Sequence, residues 1–231
     1  MSARMIWLAP FAVALAMGAC APPQQAAKAA PIACAPEGQP GADDTCDLMA
    51  DGHILRVKFG PVPVGDKGTI SIDVLSGSNA VTQTLSETGT GDYFYPSVDD
   101  FDQDGRHDVL IVRNGGAVNF EQALWRQDAD GKFVRLGIIN GVNVSKTADG
   151  YLAVPARGSA AEWSVDFYQI ADAPLTPLAT IAVAADKTEG DKVVHSSCTL
   201  TVSPGIKALN LTAKAAEKKF CAEPAAKVFD K

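Results

Sequence analysis

Histidine is scarce in this chain: three residues, His53, His107 and His195, in 231. That leaves little material for a general base or an imidazole-rich metal centre. No Gly-x-Ser-x-Gly elbow occurs, which removes the most recognisable nucleophile turn. Basic residues are also in deficit, 20 Lys and Arg against 27 Asp and Glu for a formal net charge of −7. A surface of this sign repels the phosphate backbone, so nucleic acid is not an expected partner; a basic protein is. After the N-terminal stretch no apolar run reaches the ~20 residues that a membrane-spanning helix needs. No internal repeat is visible, which argues against a full many-bladed calcium propeller.

Cysteine is sparse but even in number once the first is set aside. Cys20 follows Arg4, the apolar run Met5 to Ala16, and the small residues Gly18 and Ala19. This is the n-region, h-region and cleavage site of an export signal, with the cysteine placed as in the lipobox of bacterial lipoproteins. Residues 1–19 are expected to be a signal peptide, and Cys20 the lipid-bearing residue. Residues 20–33, rich in Ala, Pro and Gln, would tether residues 34–231 as a single domain to a membrane, with the outer membrane favoured because Ala21 is not aspartate. Cys34, Cys46, Cys198 and Cys221 remain, and an exported chain is expected to oxidise them. Of three connectivities, Cys34 to Cys46 and Cys198 to Cys221 close the shortest loops, although sequence alone does not establish the pairing. A zinc site is the weaker reading, because no two cysteines have knuckle spacing.

What the chain does have is the run Asp100-Phe-Asp-Gln-Asp-Gly-Arg-His-Asp108. Asp100, Asp102, Asp104 and Asp108 fall at positions 1, 3, 5 and 9 of a loop, with the carbonyl of Arg106 at position 7. Hard oxygens in this alternation suit Ca²⁺, which takes 6–8 of them at about 2.3–2.6 Å. Gly105 permits the sharp turn. Without a cation, carboxylates this close raise one another's pKa, which makes an ordinary solvated turn the poorer account. Position 12 is Ile111 rather than glutamate, and the apolar run Val109 to Val112 follows at once, so the loop leads into a strand and is not an EF-hand. His107 reads as a solvent-facing spacer.

From His53 onward the pattern is β, with about ten short runs rich in Val, Ile, Thr and aromatics: 53–59, 69–75, 80–85, 109–112, 120–126, 133–136, 151–156, 162–170, 178–184 and 193–202. Asp130-Gly131 and Asp149-Gly150 mark turns. These features predict a mainly β fold, an antiparallel sandwich or propeller-like sheet array, with one short C-terminal helix from Ala213 to Phe220 capped by Thr212. In the run Glu162 to Asp166, the alternation of Trp163, Val165 and Phe167 reads as a core face rather than a sugar platform. A glycosidase needs two carboxylates flanking its substrate, and the best acidic cluster is committed to a cation, so the chain is not expected to be an enzyme.

The block Tyr95-Pro-Ser-Val-Asp-Asp-Phe-Asp-Gln-Asp-Gly-Arg-His-Asp-Val-Leu-Ile-Val112, then Asn114-Gly-Gly-Ala-Val-Asn-Phe120, Trp125 and Asp130-Gly-Lys-Phe-Val134, resembles a family of calcium-binding periplasmic lipoproteins. That family is related to inhibitors of i-type lysozymes and to immunity proteins against peptidoglycan-cleaving effectors of type IV secretion. The resemblance spans about residues 93–170 and is most specific from Tyr95 to Phe133. It implies a lysozyme-like glycosidase as partner and a structural Ca²⁺. It also implies that the loop Asn114, Gly115, Gly116, Ala117, Val118, Asn119, Phe120 enters the enzyme's cleft, where Asn119 would meet the catalytic carboxyl groups. Lysozyme-blocking members carry Ser-Gly and a tyrosine at the tip; this chain has Gly115-Gly116 and Phe120. The alternative is a calcium-stabilised structural or adhesive envelope module that inhibits nothing.

Overall fold

The computed structural model describes residues 34, 45–59, 67–90, 95–170 and 174–230. The expected signal segment, the lipidation site Cys20 and the tether 20–33 lie outside the described residues. The alternating runs fold as three antiparallel meanders in chain order. The first sheet comprises β1 (Thr45–Ala50), β2 (His53–Phe59), β3 (Lys67–Leu75) and β4 (Val81–Thr90). The second comprises β5 (Tyr95–Asp99), β6 (Asp108–Gly115), β7 (Phe120–Gln127) and β8 (Phe133–Gly141). The third comprises β9 (Ser145–Lys146), β10 (Leu152–Arg157), β11 (Glu162–Tyr168), β12 (Pro177–Glu189) and β13 (Lys192–Val202).

The mainly β class is as expected, with thirteen strands among the described residues rather than about ten. The longer additions, β1 and β5, and the lengthening of β4 have a physical cause. In β1 the alternation is disguised by Asp47, whose charge Arg56 of the neighbouring strand takes up through two hydrogen bonds of 2.9 Å. β4 continues five residues past Leu85 because Glu87, which the sequence pattern places on the buried face, is neutralised by partners from the second sheet. β5 is a short edge strand with no fully buried residue, so burial gives it no pattern.

The three sheets share their side chains layer by layer. Leu55, Val57, Ile70, Ile72 and Leu85 of the first pack on Val109, Ile111, Ala123 and Phe133 of the second. The opposite face of the second sheet, with Leu110, Leu124, Leu136 and Ile139, packs on Leu152, Val154 and Tyr168 of the third. The middle sheet is therefore covered on both faces, which explains why Val109 to Val112 is an unbroken apolar run rather than an alternating one. The far face of the third sheet is closed by α1 (Ala213–Cys221), whose Phe220 meets Phe167 with ring centroids 4.6 Å apart. Thr212 caps that helix by accepting from the Ala215 N–H. The disulfides are Cys34 to Cys46 and Cys198 to Cys221, the latter pinning the helix end to β13.

Where the first two sheets meet, Glu87 is 4 % exposed. Its carboxylate accepts from Arg135 Nε at 2.6 Å and from Trp125 Nε1 at 2.9 Å, and Arg113 Nε lies 3.2 Å away. A buried carboxylate needs such partners, because desolvation otherwise costs several kcal/mol. Beside it β4 approaches β6 so closely that a Cβ on Gly89 would stand 2.2 Å from the carbonyl oxygen of Arg113.

Candidate metal loop and hairpin

The acidic loop links β5 to β6, and its two ends are held by Asp108. This side chain is fully buried, and its two carboxylate oxygens accept the Phe101 N–H at 3.1 Å and the Gln127 N–H at 2.9 Å. Phe101 turns inward into the core between the second and third sheets. The polypeptide then wraps around Asp100, which accepts from the N–H groups of Asp104 and Gly105, both at 3.0 Å. Gly105 sits at φ +89°, the left-handed turn conformation that glycine adopts without penalty.

Of the expected ligands, Asp100, Asp102 and Asp108 come together: one oxygen of each lies within 4.8 Å of the others. Asp104 is not in that group. Its carboxylate faces Arg106, accepting the Arg106 N–H at 2.9 Å and pairing with the guanidinium. The Arg106 side chain also donates from Nε to the carbonyl of Gln127 at 3.3 Å. The electrostatics are those of a site short of positive charge. Burial, aided by Asp102 and Asp104, pushes the Asp108 carboxyl up to about 7 against the two N–H bonds that oppose it. Burial and then the Asp104 charge raise Asp102 as well. An all-oxygen donor set of this kind fits a hard divalent ion such as Ca²⁺ and offers nothing to a thiophilic metal.

The loop is also tied to all three sheets. His107 donates its backbone N–H to Asp51, in the turn between β1 and β2, and its Nδ1 meets the other oxygen of that carboxylate, both at 2.6 Å. This pairing raises the His107 pKa and lowers that of Asp51. The imidazole is thus a half-exposed spacer, as expected, but one engaged in a contact that sequence reasoning missed. On the other side, Lys146 of β9 bonds both Asp99 oxygens at 2.9 and 3.0 Å and the Asp100 carbonyl at 3.1 Å. Gln103 donates to the carbonyl of Thr147 at 3.2 Å. Partners 46 and 56 positions away carry no local signal in the sequence.

The predicted partner loop lies at the other end of β6, seven residue steps or ~23 Å from Asp108. Asn114 and Gly115 close β6, Phe120 opens β7, and a tight turn with Ala117 and Val118 at its tip is closed by the Gly116 N–H donating to Asn119 O at 2.8 Å. Gly116 and Ala117 are exposed. Neither asparagine is free. Asn114 accepts from the Thr90 N–H at 2.8 Å and hydroxyl at 2.6 Å, and donates to Glu121 at 2.5 Å. Asn119 accepts the Arg157 N–H at 2.9 Å and donates to the Arg157 carbonyl at 3.0 Å. Its amide therefore locks this hairpin to the end of β10 and is spent inside the fold.

No family model, no curated protein and no solved structure matches this chain. Among the described residues no helix is long and apolar enough to cross a membrane.

Proposed function

We propose that this is a calcium-binding envelope lipoprotein, anchored through Cys20, that inhibits a lysozyme-like peptidoglycan hydrolase and is not itself an enzyme. The observation that carries the calcium half is the convergence of Asp100, Asp102 and Asp108 around a fully buried carboxylate. Asp104 joins when its pairing with Arg106 exchanges for the ion, and the Arg106 carbonyl completes the set. The ion does no chemistry: it neutralises the loop and holds β5 and β6 together where all three sheets meet.

The inhibitory half is supported by the resemblance from Tyr95 to Phe133 and by the small-residue tip Gly116 to Val118, exposed at Gly116 and Ala117, on a base held by Asn114 and Asn119. With both amides used internally, contact with a narrow cleft falls to the tip backbone and the side chains of Ala117 and Val118. The acidic chain suits a basic enzyme. In the test, the full chain with Ca²⁺ is added to c-, g- and i-type lysozymes and to secretion-effector muramidases. Inhibition at micromolar protein, lost on Ala117→Lys, supports the reading; no inhibition of any of them overturns it. The commitment of Asn119 to Arg157 favours the second reading, a calcium-stabilised structural or adhesive module, for which tip substitutions are without effect and an envelope partner other than a hydrolase is retained.

A further inference from the structure

Arg106 has two roles at the acidic loop, and they oppose each other. Its backbone carbonyl falls at position 7, where the proposed Ca²⁺ site takes a main-chain oxygen. Its side chain pairs with Asp104, the position-5 carboxylate, which stays out of the group formed by Asp100, Asp102 and Asp108. Both oxygens of Asp104 are engaged: one accepts the Arg106 backbone N–H at 2.9 Å and the other meets the guanidinium. The guanidinium is fixed at a second point, where Nε donates to the Gln127 carbonyl at 3.3 Å. Gln127 in turn donates its N–H to Asp108 at 2.9 Å, so the cation is anchored on the strand that also anchors the buried ligand.

The other cations near the loop are placed differently. Lys146 bonds both oxygens of Asp99, which is not an expected ligand, and reaches Asp100 at its main-chain carbonyl. Its charge closes the loop without engaging a ligand carboxylate. On Asp102, burial and the Asp104 charge outweigh the opposing pull of Arg126. Arg106, by contrast, is in direct contact with a carboxylate that the ion needs. The two cannot share it: a guanidinium kept at Asp104 would repel the ion and deny it one oxygen donor.

The geometry points to Arg106 as a built-in competitor, whose side chain occupies Asp104 and sets the Ca²⁺ affinity of the loop below what its carboxylates alone would give. This rests on the calcium reading above and adds a regulation to it. A tethered cation is present at every loop, so the apparent Kd rises as the fraction of loops with Asp104 free falls.

In the test, Ca²⁺ is titrated by calorimetry into the full chain after chelation, and into Arg106→Gln, Asp104→Asn and the double variant. Arg106→Gln keeps the position-7 carbonyl and should bind Ca²⁺ about three- to fivefold more tightly, the range for releasing a partly exposed ion pair. A side chain that merely braced the loop would give the opposite sign. Loss of any nearby positive charge also favours a cation, and the double-mutant cycle separates that effect. In the Asp104→Asn background, with no carboxylate left to hold, removing Arg106 should give little or no gain. An equal gain in both backgrounds overturns the competition, as does unchanged or weaker binding by Arg106→Gln, and either result leaves the calcium reading standing. If neither the wild type nor Arg106→Gln binds Ca²⁺, the calcium reading falls and the competitor with it. Binding by Arg106→Gln alone would mean that the competitor prevails outright in the wild type.

Discussion

Asp108 holds the most informative side chain in the molecule because its burial and its charge are in conflict. Its carboxyl titrates at about 7 in the folded protein against an ordinary value of 3.8. A raised folded pKa means that the contribution to stability is complete below pH ~4 and is lost as pH rises through 7. At ~1.4 kcal/mol per tenfold, that loss amounts to a few kcal/mol. Thermal unfolding in chelator should therefore show a melting temperature that falls between pH 4 and pH 7.5, and Ca²⁺ should abolish most of the fall. Asp108→Asn should flatten the pH profile and remove the Ca²⁺ response. It should also cost ~1–3 kcal/mol at pH 5, since its NH₂ must face one of the two N–H donors that the carboxylate now satisfies. His107 changes stability in the same direction: its raised pKa keeps the pairing with Asp51 charged at low pH and loses it as pH rises past the raised value. Being half-exposed, that pair carries the smaller share, and the slope left in Asp108→Asn near neutrality should vanish in the double variant with His107→Gln.

At the scale of elements, the seam between β4 and β6 is held by Glu87 and by the absence of a side chain at Gly89. Glu87→Ala leaves Arg113 and Arg135 facing each other in a partly buried place and removes the acceptor for Trp125, so chemical denaturation should show a loss of ~3–5 kcal/mol. Gly89→Ala places a methyl group against the Arg113 carbonyl, which is main chain and cannot rotate away; a decrease of at least ~1–3 kcal/mol is expected, with β6 displaced. This seam was illegible in the sequence. Glu87 interrupts an otherwise polar-out alternation, and its partners Trp125 and Arg135 are 38 and 48 positions away. The runs of β2, β3 and β11 were legible because one face of each is apolar at period two, and that of β10 because it is apolar on both. The cap at Thr212 was legible because capping is local. Asp100, Asp102 and Asp108 could be read from spacing alone, whereas the diversion of Asp104 to Arg106 and of Asn119 to Arg157 depends on side-chain contacts that spacing does not encode.

On the scale of the whole molecule, three meanders are stacked with the second between the others, and the acidic loop touches the first through Asp51, the second through Gln127 and the third through Lys146 and Thr147. An ion held there stabilises the stack as a unit. Native-only binding adds RT ln(1 + [L]/Kd), about 2.7 kcal/mol at a hundredfold excess over Kd. Hydrogen exchange should accordingly slow on adding Ca²⁺ at three separated places, the turn 51–53, the end of β7 near Gln127, and residues 145–147. The hairpin tip at Ala117, ~23 Å along β6, should respond less. Protection confined to residues 100–108 would mean a local site with no influence on the stack.

The measurement that bears most directly on this account is the melting temperature of the full chain titrated with Ca²⁺ after chelation, with Asp100→Ala and Asp108→Asn beside it. The wild type should rise continuously with Ca²⁺ at pH 7.5, and the rise should be lost in both variants. A wild-type melting temperature indifferent to Ca²⁺, or an equal rise in either variant, would contradict it.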